Sequence, residues 1–180
     1  MFILYGVIVG LVAGFLLGGR PSGLATVRFR LGGLAIVALA IQVVLFSSLA
    51  EDLDAGVRRA IYVASTGLVG VVVLANLRLT GVPLIALGAG LNLAAILANG
   101  GSMPADPAAL AALGMTAGGN TNSVVVAQPA LGPLTDLFAM PAWLPWSNVF
   151  SIGDVLIGAG VAVAIAAAMR TGRRAAPAAD

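Results

Sequence analysis

Long runs of apolar residues alternate with short polar connections along most of this chain. Five such runs cover about residues 2–19, 31–50, 57–77, 82–98 and 152–169. Each is close to the roughly 20 residues that a helix needs to cross the hydrocarbon core of a bilayer. Because backbone N–H and C=O groups in lipid must be satisfied within their own segment, the pattern predicts an all-α membrane bundle of five transmembrane helices.

The composition agrees with this pattern and removes several kinds of chemistry. Of the 180 residues, 60% are hydrophobic and 9% are charged, and the mean hydropathy is +1.07, which is too apolar for a soluble domain of this size. The chain has no cysteine and no histidine, which excludes disulfides, thiol catalysis, the usual zinc sites and Ser-His hydrolases. We therefore expect no metal and no cofactor. The formal charge of +2 gives no reason to expect nucleic acid as a partner.

Arginines predict the orientation, because they lie almost only in alternate connections. Two connections and the tail carry most of them: Arg20, Arg28 and Arg30 in the first connection, Arg78 in the third, and Arg170, Arg173 and Arg174 after the last run. The positive-inside rule makes these segments cytoplasmic and places the N-terminus outside a bacterial plasma membrane. Only Arg58 and Arg59 depart from the rule. We expect one membrane domain over residues 1–170, whose first run is a retained helix, and a short disordered cytoplasmic tail over 171–180.

The first run contains a row of glycines at helical spacing. Gly6, Gly10, Gly14 and Gly18 recur every four residues and form one face without side chains. Another helix can approach closely along such a face, as in a glycine zipper. The partner is either another helix of the same chain or a second copy in a homo-oligomer.

Two amides lie near the middle of predicted spans. Gln42 is in the second span and Asn92 is in the fourth, and both spans run outward, so the two side chains are expected at a similar depth and within reach of a hydrogen bond. Such amides usually hold helices together, each bond contributing about 1 kcal/mol. The other interpretation is a polar path through a small channel or transporter.

The segment 99–151, which joins the last two spans, is the part most typical of a functional site. It is long, rich in proline and glycine, and without any basic residue, as an extracytoplasmic loop should be. Asp106, Pro107 and Gly114 predict a short helix with an N-cap, a first-position proline and a glycine stop. Further elements expected in the segment are an extended stretch over 124–126, a short helix over 133–140, and interfacial anchors at Trp143 and Trp146.

Polar side chains of this outer segment are candidates to hold a lipid, a peptide or a partner protein at the membrane surface. The candidate ligand-binding residues are Asn99, Met103, Asn122, Ser123, Asn148, Ser151 and Asp154. Membrane-surface binding is the function that the pattern favours, since no complete catalytic set is present. The bilayer itself is one expected partner, and a membrane protein or a second copy of the chain is another.

Two carboxylates are expected at the same depth. Ser151 and Asp154 form an S-x-x-D capping box at the start of the last span, which is a structural role for Asp154. Asp136 lies in the segment that returns to that interface. If both carboxylates meet there, they are candidates for a catalytic pair that shares one proton.

Two short elements resemble those of known proteins. Asn99-Gly100-Gly101-Ser102-Met103-Pro104 and Ser151-Ile152-Gly153-Asp154 resemble the recurrent marks of an uncharacterised family of small bacterial multipass proteins, a domain of unknown function. That resemblance covers nearly the whole chain and implies no activity.

A more remote resemblance is to lipoprotein signal peptidase, on Phe150-Ser151-Ile152-Gly153-Asp154 followed by Ile157 and Gly160. It implies an aspartyl membrane peptidase with Asp154 and Asp136 as catalytic residues. The peptidase pattern Asn-x-x-Asp-Arg is absent around Asp136, and Ser151 stands where the peptidase has asparagine. An Asp-based hydrolase is therefore the alternative to a binding protein.

Overall fold

The chain is mostly helical, with a compactly folded segment between its last two long helices. The computed structural model describes residues 2–50, 52–116 and 123–174. Its elements in chain order are α1 (Phe2–Leu16), α2 (Gly32–Leu45), α3 (Ala55–Ala75), α4 (Val82–Ala98), β1 (Met103–Pro104), α5 (Pro107–Ala112), β2 (Ser123–Val124), β3 (Phe138–Ala139), β4 (Val149–Phe150) and α6 (Ile152–Arg174). Short 3-10 turns lie at Pro21–Thr26, Ser48–Ala50 and Gly132–Leu134.

The last helix, α6, is the centre of the bundle. It packs against α1 and α4, α4 also contacts α3, and α3 contacts α2. The start of α1 meets the start of α6, where the rings of Phe2 and Phe150 stack with centroids 4.7 Å apart, so these two helices are parallel. The other neighbouring pairs are antiparallel. One end of the bundle, here called the outer end, therefore holds the segment 99–151, and the inner end holds the connections that contain most of the arginines.

Three glycines allow α1 to lie directly on the backbone of α6. Gly6, Gly10 and Gly14 are buried. A Cβ atom on Gly6 would lie 2.5 Å from the carbonyl oxygen of Gly158, and one on Gly10 would lie 2.9 Å from Cα of Ala162. Any side chain at these positions would push the two helices apart.

The fourth residue of the predicted glycine row, Gly18, does not belong to this contact. It is exposed, has φ of 71°, and follows the end of α1. Gly18 N–H donates to Phe15 O and Gly19 N–H donates to Gly14 O, at 2.9 and 2.8 Å, which is the Schellman pattern that ends a helix. The positive φ at Gly18 explains why α1 is shorter than the predicted run over 2–19.

The contact between α4 and α6 also depends on missing side chains. A Cβ atom on Gly88 of α4 would overlap the carbonyl oxygen of Gly153, and one on Gly160 of α6 would lie 2.7 Å from the carbonyl oxygen of Gly81. Gly88 meets Gly153 and Gly81 meets Gly160, so the two helices are antiparallel. The start of α6 is thereby placed beside the second half of α4.

The expected hydrogen bond between Gln42 and Asn92 does not form. Gln42 Nε2 instead donates to Ser65 Oγ and Thr66 Oγ1 of α3, at 3.3 and 3.2 Å. The reason lies in the helix order, because α2 packs on α3 whereas α4 carries Asn92 to α6. Gln42 and Asn92 were expected at a similar depth, but their helices pack against different neighbours.

Local hydrogen bonds change the other helix limits. Ser47 Oγ donates to Val44 O at 2.7 Å and α2 ends at Leu45, before the predicted limit at residue 50. Asp54 caps α3 by accepting from Gly56 N and Val57 N at 2.8 and 3.2 Å, so that helix begins two residues early. At the other end of the chain, α6 continues through Arg174, past the predicted limit at residue 169, and residues 175–180 of the predicted tail lie outside the described residues.

Two helices of the described chain are long and apolar enough to cross a membrane, judged by length and composition. They are α3, over Ala55–Ala75, and the first part of α6, over Ile152–Thr171. The helices α1, α2 and α4 are apolar but shorter, with 15, 14 and 17 residues. The five-span topology therefore stays a prediction.

The segment 99–151 folds back over the outer end. β1 pairs with β2 in parallel, β3 pairs with β4 in antiparallel register, and α5 packs beside β3. The predicted caps of α5 are confirmed: Asp106 Oδ1 accepts from Ala109 N at 2.9 Å, Pro107 is the first helical residue, and Gly114 has φ of 64° after the helix.

Other details of this segment differ from expectation. The extended stretch predicted at 124–126 pairs as β2 only over Ser123–Val124. The helix predicted over 133–140 is replaced by the turn Gly132–Leu134 and then by β3. Leu131, which precedes the turn, has φ of 52°, and the chain leaves the turn in extended geometry at Thr135. Backbone pairing with Pro104 and Phe150 thus overrides the local helical pattern.

Candidate functional site

The candidate site begins at the first turn of α6. Ser151 N–H donates to Asp154 Oδ2 at 3.0 Å, and Asp154 N–H donates to Ser151 Oγ at 3.1 Å. These reciprocal bonds are the predicted capping box, and they satisfy backbone donors that the first helical turn leaves without partners. The Ser151 side chain is fully buried.

Asn92 joins this capping box from α4. Its Nδ2 donates to Asp154 Oδ1 at 2.9 Å. The Ser151 hydroxyl lies 2.8 Å from Asn92 Oδ1 and 3.1 Å from Asp154 Oδ2, so its single proton goes to one of these two acceptors. Both Asp154 oxygens accept hydrogen bonds. Asn92, Ser151 and Asp154, here called the cap triad, therefore tie α4 to the start of α6.

Gly153 makes room for the Asn92 side chain. A Cβ atom on Gly153 would overlap Asn92 Oδ1 and would lie 2.7 Å from the carbonyl oxygen of Gly88. The amide can therefore reach the capping box only because this position of α6 has no side chain. The cap triad therefore requires glycine at position 153.

Asp136, the second candidate carboxylate, is held in place by its backbone. Its N–H donates to Pro104 O at 3.0 Å, and its C=O accepts from Asp106 N–H at 2.9 Å, in a parallel bridge with Ala105. The Asp136 side chain is 9% exposed. Within the described part of the chain, its carboxyl group forms no hydrogen bond. This buried group differs from Asp154, whose oxygens are both used.

The surroundings of Asp136 favour its neutral form. Burial of the side chain, and then the negative charge of Asp154, raise the pKa of Asp136 from 3.8 to about 7, against a lowering by the chain's amino terminus. The two carboxylates do not hydrogen-bond to each other, among the bonds of the described residues. When it is protonated, Asp136 can donate a hydrogen bond.

A family model described as "Family of unknown function (DUF5317)" matches residues 26–166. The chain belongs to this family. The expectation of an uncharacterised domain family is thus confirmed, and the DUF5317 match includes Asp136 and the cap triad. No curated protein and no solved structure matches the chain, so the remote likeness to lipoprotein signal peptidase gains no support from them.

Several predicted ligand-binding residues of this DUF5317 member have structural partners. Asn99 Nδ2 donates to Ala95 O and to Ala130 O, each at 2.8 Å, and Asn99 Oδ1 accepts from Ala130 N at 2.9 Å. Met103 is buried against Ala95 and Ile96 in a small apolar core. The side chains of Asn99 and Met103 therefore hold the outer segment on the end of α4.

The remaining predicted residues are spread over the outer segment. Asn148 Oδ1 accepts from the neighbouring Val149 N at 2.9 Å, and Asn148 O accepts from Met140 N at 3.0 Å. Ser123 is half-buried in β2, and Asn122 lies outside the described residues. The structure joins Ser151 and Asp154 by hydrogen bonds, relates Asp136 to Asp154 only through charge, and leaves Asn148 and Ser123 in other roles or places.

Sequence reasoning missed the hydrogen bonds of Asn92 to the capping box of Ser151 and Asp154. Asn92 was singled out as a polar group at membrane depth, but its partner was sought on α2. The available signal was Gly153, since a glycine inside the first turn of a helix allows a neighbouring side chain to approach the backbone. A second missed feature is the aromatic group at the outer end, where Phe138 and Phe150 have ring centroids 5.4 Å apart and Phe150 also stacks on Phe2.

Proposed function

We propose that this chain is a five-span protein of the bacterial plasma membrane that binds an amphiphilic ligand at its outer surface. Support for the membrane location comes from the exposed faces of the helices. Large aliphatic side chains are exposed on α1 and α2, as at Leu16 (82%), Ile36 (70%) and Val43 (72%), and only 11% of the most apolar window of α3 is buried. Helices that are apolar on all sides belong in lipid or in a large core, and a chain of this size has no such core.

Charge supports the proposed orientation. The inner end of the bundle carries Arg20, Arg28, Arg30, Arg78 and Arg170, whereas the carboxylates of the described residues, Asp52, Asp54, Asp106, Asp136 and Asp154, all belong to the outer end. Under the positive-inside rule, the inner end faces the cytoplasm. The segment 99–151 is then outside, and the short helices α1, α2 and α4 cross the bilayer together with the turns that extend them.

The buried carboxyl group of Asp136 is the observation that supports a binding site. Among the described residues this group has no hydrogen-bond partner, and its surroundings favour the neutral form, so it is a donor available to a ligand. A ligand that offers a hydrogen-bond acceptor to Asp136 would supply the missing partner. The exposed rings of Phe138 (44%) and Trp146 (60%) lie in the same outer segment and suit the apolar part of a lipid or peptide at the membrane surface.

The second candidate function is an aspartyl membrane hydrolase. It is favoured by the contrast between Asp136, whose environment favours the protonated acid, and Asp154, which accepts hydrogen bonds on both oxygens. A hydrolytic pair needs one carboxylate free to activate water. Because both Asp154 oxygens are engaged in the cap triad, we place ligand binding first.

Complementation of a deletion strain separates these two functions. The variants are Asp136→Leu, Asp136→Asn and a control, Asp52→Asn, which changes an exposed carboxylate at the same end of the molecule. Binding predicts that Asp136→Leu loses function at normal membrane abundance and that Asp136→Asn keeps much of it, because an amide still donates a hydrogen bond. A hydrolase predicts complete loss in Asp136→Asn as well, because an amide cannot exchange the proton. Full function of Asp136→Leu would refute both.

A further inference from the structure

A groove at the inner end has no place in the proposed outer site. Its volume is about 660 Å³, within the range of about 300–1,000 Å³ that small-molecule sites occupy. Its walls come from the connection after α1, the residues around the start of α4, and the last turns of the apolar part of α6. The apolar lining includes Leu24, Val27, Phe29, Val82, Ala164 and Ile165.

Four polar side chains line the groove, and two of them are available to a ligand. Thr26 and Thr171 are already engaged, because their Oγ1 atoms donate to the carbonyl oxygens of Gly23 and Ala168, at 2.7 and 2.6 Å. Arg28 and Thr80 also line the groove, and neither side chain forms a hydrogen bond or an ion pair among the described residues. Both residues are exposed, and a guanidinium and a hydroxyl group can each donate a hydrogen bond to a phosphate oxygen.

The charge around the groove selects the sign of the ligand. Arg20, Arg30, Arg78 and Arg170 belong to the same end as Arg28, and every carboxylate of the described chain belongs to the opposite end. No acidic group within those residues therefore competes for Arg28. A ligand with an apolar tail and an anionic head matches both the lining and the rim.

We propose that this inner groove is a binding site for one anionic phospholipid, with an acyl chain along α6 and the phosphate against Arg28 and Thr80. Basic pockets between transmembrane helices on the cytoplasmic side are suited to anionic headgroups. This site lies at the end opposite Asp136, and it rests on the membrane insertion proposed above. It does not depend on the ligand of the outer site.

Native mass spectrometry of the detergent-purified full chain tests the site. The probes are dioleoyl-phosphatidylglycerol, dioleoyl-phosphatidylcholine and free glycerol phosphate. We expect one phosphatidylglycerol molecule to be retained in preference to phosphatidylcholine, and Arg28→Gln to reduce that preference about fivefold, the effect of one arginine near an anionic surface. Ala167→Phe, which fills the groove from α6, should reduce the retention of both lipids.

Arg20→Gln is the matched control, because it removes the same charge from the same end without lining the groove. Equal loss of preference in Arg20→Gln and Arg28→Gln would overturn the site in favour of general charge attraction. Full competition by glycerol phosphate would overturn the role of the acyl chain, and equal retention of the two lipids by the wild type would overturn the site altogether. Recovery of the chain as a soluble protein without detergent would instead refute the membrane location.

Discussion

The two halves of this bundle are built differently. In the half formed by α1, α4 and α6, the backbones of neighbouring helices touch, and a Cβ atom on Gly10 or Gly160 would lie less than 3.0 Å from atoms of the next helix. In the pair α2 and α3, added Cβ atoms on Gly33, Gly67 and Gly70 would meet no atom within 4 Å. The first half is a closely packed scaffold, and the second presents most of its apolar surface outward.

The cap triad belongs entirely to the closely packed half. Asn92 comes from α4, and Ser151 and Asp154 come from the start of α6. Side chains on closely packed helices hold their geometry better than side chains on loops. In the other half, the bonds of Gln42 to Ser65 and Thr66 are 3.3 and 3.2 Å long, and the shorter bonds of Asn76, at 2.8 and 2.9 Å, go to the backbone of Arg30 before α2. The difference indicates that the first half positions the site and that the second mainly meets lipid.

The largest expected effect comes from a side chain placed between α1 and α6. Gly10→Leu should destabilise the protein by about 3 kcal/mol, because overpacking of a close contact forces backbone shifts. The measurement is the yield of monodisperse protein in detergent and its thermal unfolding. Gly67→Leu on α3 is the control, and we expect it to fold like the wild type. Similar losses in both variants would contradict the distinction between the two halves.

A smaller loss is expected from the cap triad. Asn92→Leu keeps the branched shape of the side chain but removes the donor to Asp154 Oδ1 and the acceptor at Ser151, which should cost about 2 kcal/mol because a half-buried carboxylate and a buried hydroxyl lose a partner. Thermal unfolding in detergent measures this loss.

Gln42→Leu is the corresponding change in the other half. Its expected cost is below about 1 kcal/mol, as for most interhelical hydrogen bonds in membranes. If the Gln42 variant loses as much stability as the Asn92 variant, the cap triad has no special structural role.

The pH dependence gives the next smaller effect. The folded-state pKa of Asp136 is about 7, above its ordinary value of 3.8, so the folded chain holds this proton more tightly than the unfolded chain. Its stabilising contribution is complete below about pH 4 and is lost as the pH rises through about 7. Between pH 6 and pH 8 the free energy of unfolding should fall by about 1 kcal/mol.

Asp136→Asn should remove this pH dependence, because the amide does not titrate. The contribution of Asp136 is the difference between this variant and the wild type when unfolding is followed from pH 5 to pH 8. A variant that keeps the wild-type slope would show that Asp136 is not the titrating group.

Local patterns in the sequence predicted local structure well. The capping box at Ser151 and Asp154, the caps of α5 at Asp106 and Gly114, and the limits of α4 all depend on residues close together in the chain. Glycine spacing also indicated a face of α1 free of side chains. Its last member, Gly18, was misassigned because a glycine that ends a helix has the same spacing as one that packs against a neighbour.

The parts of the site that sequence could not predict depend on helix order. Asn92 was expected to meet Gln42, since both amides lie at a similar depth, but depth does not say which helices are neighbours. Likewise, the placement of Asp136 depends on backbone hydrogen bonds to Pro104 and Asp106, about 30 residues earlier in the chain. Such non-local pairing leaves little trace in the periodicity of either segment.

The most direct measurement of the central claim is the labelling of single cysteines in intact cells. Because the chain has no cysteine, Ala142→Cys and Ser22→Cys each introduce one exposed thiol, at the outer and inner ends respectively. A five-span protein with its Asp136 site outside predicts that a membrane-impermeant maleimide labels Ala142→Cys in intact cells and labels Ser22→Cys only after the cells are opened. Intact cells that label Ser22→Cys but not Ala142→Cys, or that label both, would contradict the account.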